Sequence, residues 1–141
     1  MHQNTLTIQS TLRFLRIVHL ILAGSILLYW QTIVLVPAEN PDTLQIVFLW
    51  TLSALCVAEL AIGQLIRSRE LRIAFEILRT KPDDPTALGR WRRGIIVGDC
   101  LALSVVLSGL AIHFLGGTGR QVAPFFIVGA AAFLVWWPKR P

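Results

Sequence analysis

The sequence predicts an all-α, polytopic membrane protein. Four transmembrane helices form two antiparallel hairpins, with an amphipathic cytoplasmic segment between spans two and three, all in one membrane domain over 1–141. Three observations predict this. Hydrophobic residues make up 55% of the chain and charged residues only 15%, against roughly 25% charged in a soluble domain. The apolar residues fall in four blocks, 14–36, 44–66, 94–115 and 122–137. Lysine and arginine collect on one side of those blocks, as the positive-inside rule requires of a membrane protein.

A helix needs about 20 apolar residues to cross the hydrocarbon core, and the first three blocks supply them. The fourth has 16 residues with Pro124 near its start. It spans by counting its flanks or by local thinning of the bilayer; a re-entrant or interfacial helix is the other reading. Arg13 and Arg16 precede block one as in a signal peptide. That block is too long for an h-region, however, and Val36-Pro37-Ala38-Glu39 is a poor cleavage site, so span one is expected to stay.

Orientation follows from counting basic residues. Two lie at the N-terminal flank of span one (Arg13, Arg16), eight in the segment 67–93, and two at the end (Lys139, Arg140); the opposite side has only Arg120. Both termini and the segment 67–93 are therefore expected in the cytoplasm, of a bacterial inner membrane. Trp91, Trp136 and Trp137 fall at the cytoplasmic interface, and Tyr29, Trp30 and Trp50 towards the outer one, where such side chains anchor. The net charge of +5 is explained by this topology; nucleic acid has no support as a partner.

Each element has local signals. Pro37 and Pro41 frame the first outer turn, with Asp42 a candidate N-cap for span two. Gly116-Gly117-Thr118-Gly119 permits a sharp reversal between spans three and four. Leu71, Ala74, Phe75 and Leu78 recur at helical spacing, so span two is expected to run on as an amphipathic helix and stop near Lys81-Pro82-Asp83-Asp84-Pro85. Asp84 then caps a short helix beginning at Pro85 that leads through Trp91 into span three. Arg67, Arg69, Arg72, Arg79, Arg90, Arg92 and Arg93 offer a surface for anionic lipid or a partner subunit. They could equally snorkel along the protein's own apolar surface.

The polar residues within the spans carry the functional question. Apart from Glu59 and Asp99, blocks two and three contain no Asp, Glu, Lys or Arg, and an intramembrane acid points to function by default. Counted from Arg13, Ile66 and Arg92 at the cytoplasmic ends of their spans, His19, Glu59 and Asp99 lie six, seven and seven residues deep, roughly 9–10 Å at 1.5 Å per residue. The three are expected to share one layer. Asp99, Ala102, Val106, Gly109 and His113 form one stripe of span three, Ser53, Cys56, Glu59 and Gly63 one of span two, and Arg16, His19, Ala23, Ile26 and Trp30 one of span one. Gly129-Ala130-Ala131-Ala132 of span four allows close approach at that level. The layer reads either as a structural tie, histidine to carboxylate, or as a proton or cation site. Towards the outer side a secondary polar line follows through Cys56, Ser104, Ser108 and His113, with Ser25, Thr51 and Ser53. His19 and His113 lie roughly 20 Å apart in depth, so they cannot share one haem iron; either alone could ligate a haem or chlorophyll. Two cysteines, Cys56 and Cys100, exclude a disulfide framework. No nucleophile motif, phosphate loop or metal-spaced cluster appears in the sequence, so no cofactor and no enzyme activity is expected.

The C-terminal half reads Leu78-Arg79, Pro82-Asp83-Asp84, Ala87-Leu88, Arg90-Trp91, Phe114-Leu115-Gly116-Gly117, Pro124-Phe125 and Trp137-Pro138-Lys139-Arg140-Pro141. Over about 75–141 it resembles an uncharacterised family of small bacterial four-span membrane proteins. That resemblance implies the four-span fold and an acid at the place of Asp99, and no activity. A weaker likeness is to the rotor proteolipids of ion-driven ATPases, whose single membrane carboxylate Asp99 or Glu59 would match. Their Gly-x-Gly-x-Gly helix has no counterpart, since span three has only Gly94, Gly98 and Gly109. The leading expectation is a small non-enzymatic subunit or assembly partner of a larger, energy-transducing membrane complex. It would contact lipid and other membrane subunits, or associate with itself. The alternatives are a proton- or cation-conducting bundle using Glu59 and Asp99, and a haem- or pigment-binding subunit using His19 or His113.

Overall fold

The computed structural model describes residues 7–36 and 46–139. Four helices occupy nearly all of them: α1 (Ile8–Leu35), α2 (Ile46–Thr80), α3 (Pro85–Phe114) and α4 (Gly119–Val135). The first three are long and apolar enough to cross a membrane, and α4 is a shorter apolar helix of 17 residues. The turn 37–43, the Asp42 cap and Arg140 lie outside the described residues.

The helix ends form where local chemistry dictates. Thr7 and Ser10 make a reciprocal capping box, each side chain accepting from the other's backbone N–H at 3.1–3.2 Å. Asp84 accepts from the Ala87 N–H at 2.8 Å, and Pro85 occupies the first helical position, whose N–H needs no partner. Pro85 starts no separate short helix: the chain runs unbroken from there into span three. At the far end of α3, Gly116 takes φ 89°, the left-handed region that favours glycine. The Gly117 N–H donates to Ile112 O at 2.8 Å and the Gly116 N–H to His113 O at 3.1 Å, a complete Schellman closure. A Cβ on Gly117 would collide with Ile112.

α3 is the hub, packed against α2, α4 and α1. It is antiparallel to α2 (Arg90 Nη1 lies 3.6 Å from Glu70 Oε2, and Glu59 meets Ser104) and parallel to α1, which it meets at Thr11–Arg92, His19–Asp99 and Val36–His113. α1 also seats on α4, whereas α1 and α2 form no packed pair. The helices expected as the first hairpin thus form no packed pair, and among the described residues the polar ties of α1 to other helices go to α3.

Two cores form along this axis. Between α3 and α4, Val105, Val106, Phe125, Phe126 and Phe133 are buried together. Apolar side chains gain little by leaving lipid for one another, so close packing must hold this layer. Small residues permit it: a Cβ on Gly109 would stand 2.8 Å from Phe125 Cβ, and one on Gly129 would collide with Val106. Beyond the apolar blocks, α2 and α3 continue as a helical pair. With 35 residues, α2 is about 52 Å long, against about 30 Å of hydrocarbon. Here Leu12 and Leu15 of α1, Ala74 and Leu78 of α2, and Leu88 and Trp91 of α3 make a second core. In water, each large side chain buried there contributes about 1.5–3 kcal/mol. This is the basic end of the bundle.

Candidate functional site

Asp99 belongs to the stripe Asp99, Ala102, Val106, Gly109 and His113, every member of which is buried. Its carboxylate is fully enclosed, and His19 Nδ1 of α1 donates to Asp99 Oδ2 at 2.9 Å. The rings of Phe133 and Trp137 close over the imidazole, with centroids 5.0 and 5.1 Å away. The predicted meeting of His19 with Asp99 is therefore present.

Glu59 does not join them. Ser104 Oγ of α3 donates to Glu59 Oε2 at 2.6 Å, in a half-buried seam that continues with Ser108 and buried Cys56. The reason is register. The four-residue turn between Thr80 and Pro85 sets the pairing of α2 with α3. Glu59 lies 21 positions before Thr80, whereas Asp99 lies 14 positions after Pro85. The seven-residue difference corresponds to roughly 10 Å along the axis. Depth counted from the ends of the apolar blocks hides it, since those blocks end at different distances from the turn.

The α2 residue that does reach the level of Asp99 is Arg67. It is buried, not part of an exposed basic surface. Its stem runs past Gly98, where an added Cβ would stand 3.2 Å from Arg67 Cδ. Arg67 Nη2 donates to Trp136 O at 2.9 Å, and the guanidinium sits 5.7 Å from the centroid of the Trp136 ring. Arg67 Nη1 and Asp99 Oδ1 are buried without a hydrogen-bond partner. The centre is thus a mixed-charge group, His19–Asp99–Arg67, roofed by Phe133, Trp136 and Trp137.

The other expected site residues separate. His113 Nε2 donates to Val36 O at 2.7 Å, closing the end of α1 onto α3, so that nitrogen is occupied. Arg92 Nη2 donates to Thr11 Oγ1 at 3.3 Å and its guanidinium lies over Phe14. Arg90 pairs with Glu70. Arg69, Arg72, Arg79 and Arg93 remain exposed, as does Arg16, which leaves the interior stripe drawn for span one. Cys100 is exposed and Cys56 buried. Among the described residues no group of three or more His, Cys, Asp or Glu is placed to hold a metal ion.

Comparison with protein families, curated proteins and solved structures finds no match for this chain. What the site can do must be read from its own residues. A histidine–aspartate pair enclosed by aromatic rings can join helices and hold a proton.

Residues absent from the sequence-based site also matter. Trp91 and Trp136, read as interfacial anchors, are buried in the bundle. A signal was available: Trp91 sits one turn before Ile95, on the apolar face of α3 rather than beside it.

Proposed function

We propose that this chain is a small, non-enzymatic, four-span subunit of a larger complex in a bacterial inner membrane, with both termini and the 81–84 turn in the cytoplasm. α4 is the fourth span, and the chain runs alternately in and out across the bilayer. One observation carries the reading: the bundle is open. In the apolar window of α3, 44% of residues are buried, against 11% in α1 and in α2. α1 meets α4 on one side of α3 and α2 lies on the other. α3 thus leaves Cys100, Leu107 and Phe114 exposed along one line between them. A further helix from another subunit fits this gap and would complete the ring around α3.

The conducting reading receives less support. It joins Glu59 and Asp99 in one site, whereas the two bond to different partners a helical turn or more apart. The groove between α2 and α4 at the level of Ser53 and Cys56 is otherwise lined by apolar side chains such as Leu60 and Phe125. It offers no chain of polar groups for a proton.

Extraction from the native membrane in a mild detergent tests the proposal. The chain is expected to co-purify with larger subunits and, in the Cys56→Ser variant, to crosslink to one of them through Cys100. A lone, monodisperse small protein with unreacted Cys100 would overturn it.

A further inference from the structure

At the basic end, a cavity of about 220 Å³ opens between α2, α3 and the segment after α4. Its lining includes Gln64, Arg67, Trp91 and Lys139, all hydrogen-bond donors, and apolar Phe75 and Val135. Two of these donors are unspent. Arg67 Nη1 and Trp91 Nε1 are buried with no partner, on residues only 8% and 0% exposed. A buried donor left unpaired is destabilising. Two such donors, on residues of different helices that both line one cavity, mark the place of an acceptor. Asp99 offsets part of the Arg67 charge, but His19 already engages it, and Lys139 brings a second cation to the cavity wall.

We propose that this cavity binds the phosphate of an anionic phospholipid headgroup. Arg67 and Lys139 supply the charge, Trp91 Nε1 supplies a fixed donor, and Phe75 and Val135 lie against the glycerol and upper acyl chain. Depth supports a lipid source. Arg67 directly follows apolar block 44–66, Trp91 lies three residues before block 94–115, and Lys139 two after block 122–137. Trp91 and Lys139 therefore stand at headgroup level, where cationic side chains meet anionic lipid, and Arg67, level with Asp99, lines the cavity from about 10 Å deeper. The site needs no partner subunit, so it stands or falls separately from the proposed assembly.

The test is native mass spectrometry of the full chain in detergent, titrated with phosphatidylglycerol, with phosphatidylcholine, or with sodium phosphate alone. Phosphatidylglycerol is expected to be retained about tenfold more tightly than phosphatidylcholine, as for a charged hydrogen bond gained. Trp91→Phe keeps the ring and removes the donor, and Lys139→Gln alters an exposed side chain. Each is expected to weaken phosphatidylglycerol several-fold at unchanged helicity, while Arg69→Gln and Arg72→Gln change nothing. Equal retention of both lipids overturns the proposal, and so does a phosphatidylglycerol preference unaltered in both Trp91→Phe and Lys139→Gln. Sodium phosphate competing as well as phosphatidylglycerol would assign the cavity to a soluble anion and overturn the lipid.

Discussion

Asp99 and Glu59 look alike in the sequence, each a lone acid in an apolar block, yet they occupy opposite kinds of place. Asp99 is sealed under His19 and aromatic rings at the junction of α1, α3 and α4, with Arg67 of α2 beside it. Glu59 lies half-buried in the α2–α3 seam with a single serine as partner. An acid in a membrane segment is therefore not by itself a site. What surrounds it is decided by helix register, and here a four-residue turn sets the register.

The contrast can be broken by substitution. Asp99→Ala leaves His19 and Arg67 without their common partner. It is expected to destabilise the bundle by about 3 kcal/mol, as removing one member of a buried pair does, measured by reversible unfolding in mixed detergent micelles. Gly129→Ala drives a methyl group into Val106 and is expected to cost about 1–3 kcal/mol through overpacking. A wild-type midpoint would show that α4 does not seat there. Asp84→Ala removes the cap on α3 and should cost about 1 kcal/mol, loosening the basic end as seen by faster amide exchange over 86–88. Glu59→Gln comes last. The amide oxygen still accepts from Ser104, so the loss should stay near the roughly 0.6 kcal/mol of an average intramembrane hydrogen bond. A loss as large as that of Asp99→Ala would erase the distinction between the two acids.

Much of the architecture was legible in residue patterns. Apolar blocks located the helices, the Asp84-Pro85 pair placed the start of α3, and the 3,4 spacing from Asp99 to His113 picked out the buried stripe. The His19–Asp99 contact followed because α1 and α3 run parallel, so equal depth in sequence meant equal height in space. Glu59 was misplaced because α2 and α3 are joined by a turn far outside the apolar blocks, and only the distance from that turn fixes their pairing. Arg67 was hidden by its type: an arginine one residue past an apolar block reads as a snorkelling cation. Only the helix continuing through it to Thr80, with Gly98 opposite, turns it inward. The separation of α1 from α2 was likewise illegible, since it depends on which helices α3 ties by side chains.

The most direct measurement is a pair of double-mutant cycles on unfolding free energy, one on His19 and Asp99, the other on Glu59 and Asp99, using alanine at each position. The first is expected to show a coupling of about 1–2 kcal/mol and the second none beyond about 0.3–0.5 kcal/mol, the usual scatter for independent sites. Strong coupling of Glu59 to Asp99, with His19 additive, would contradict the arrangement of the site described above.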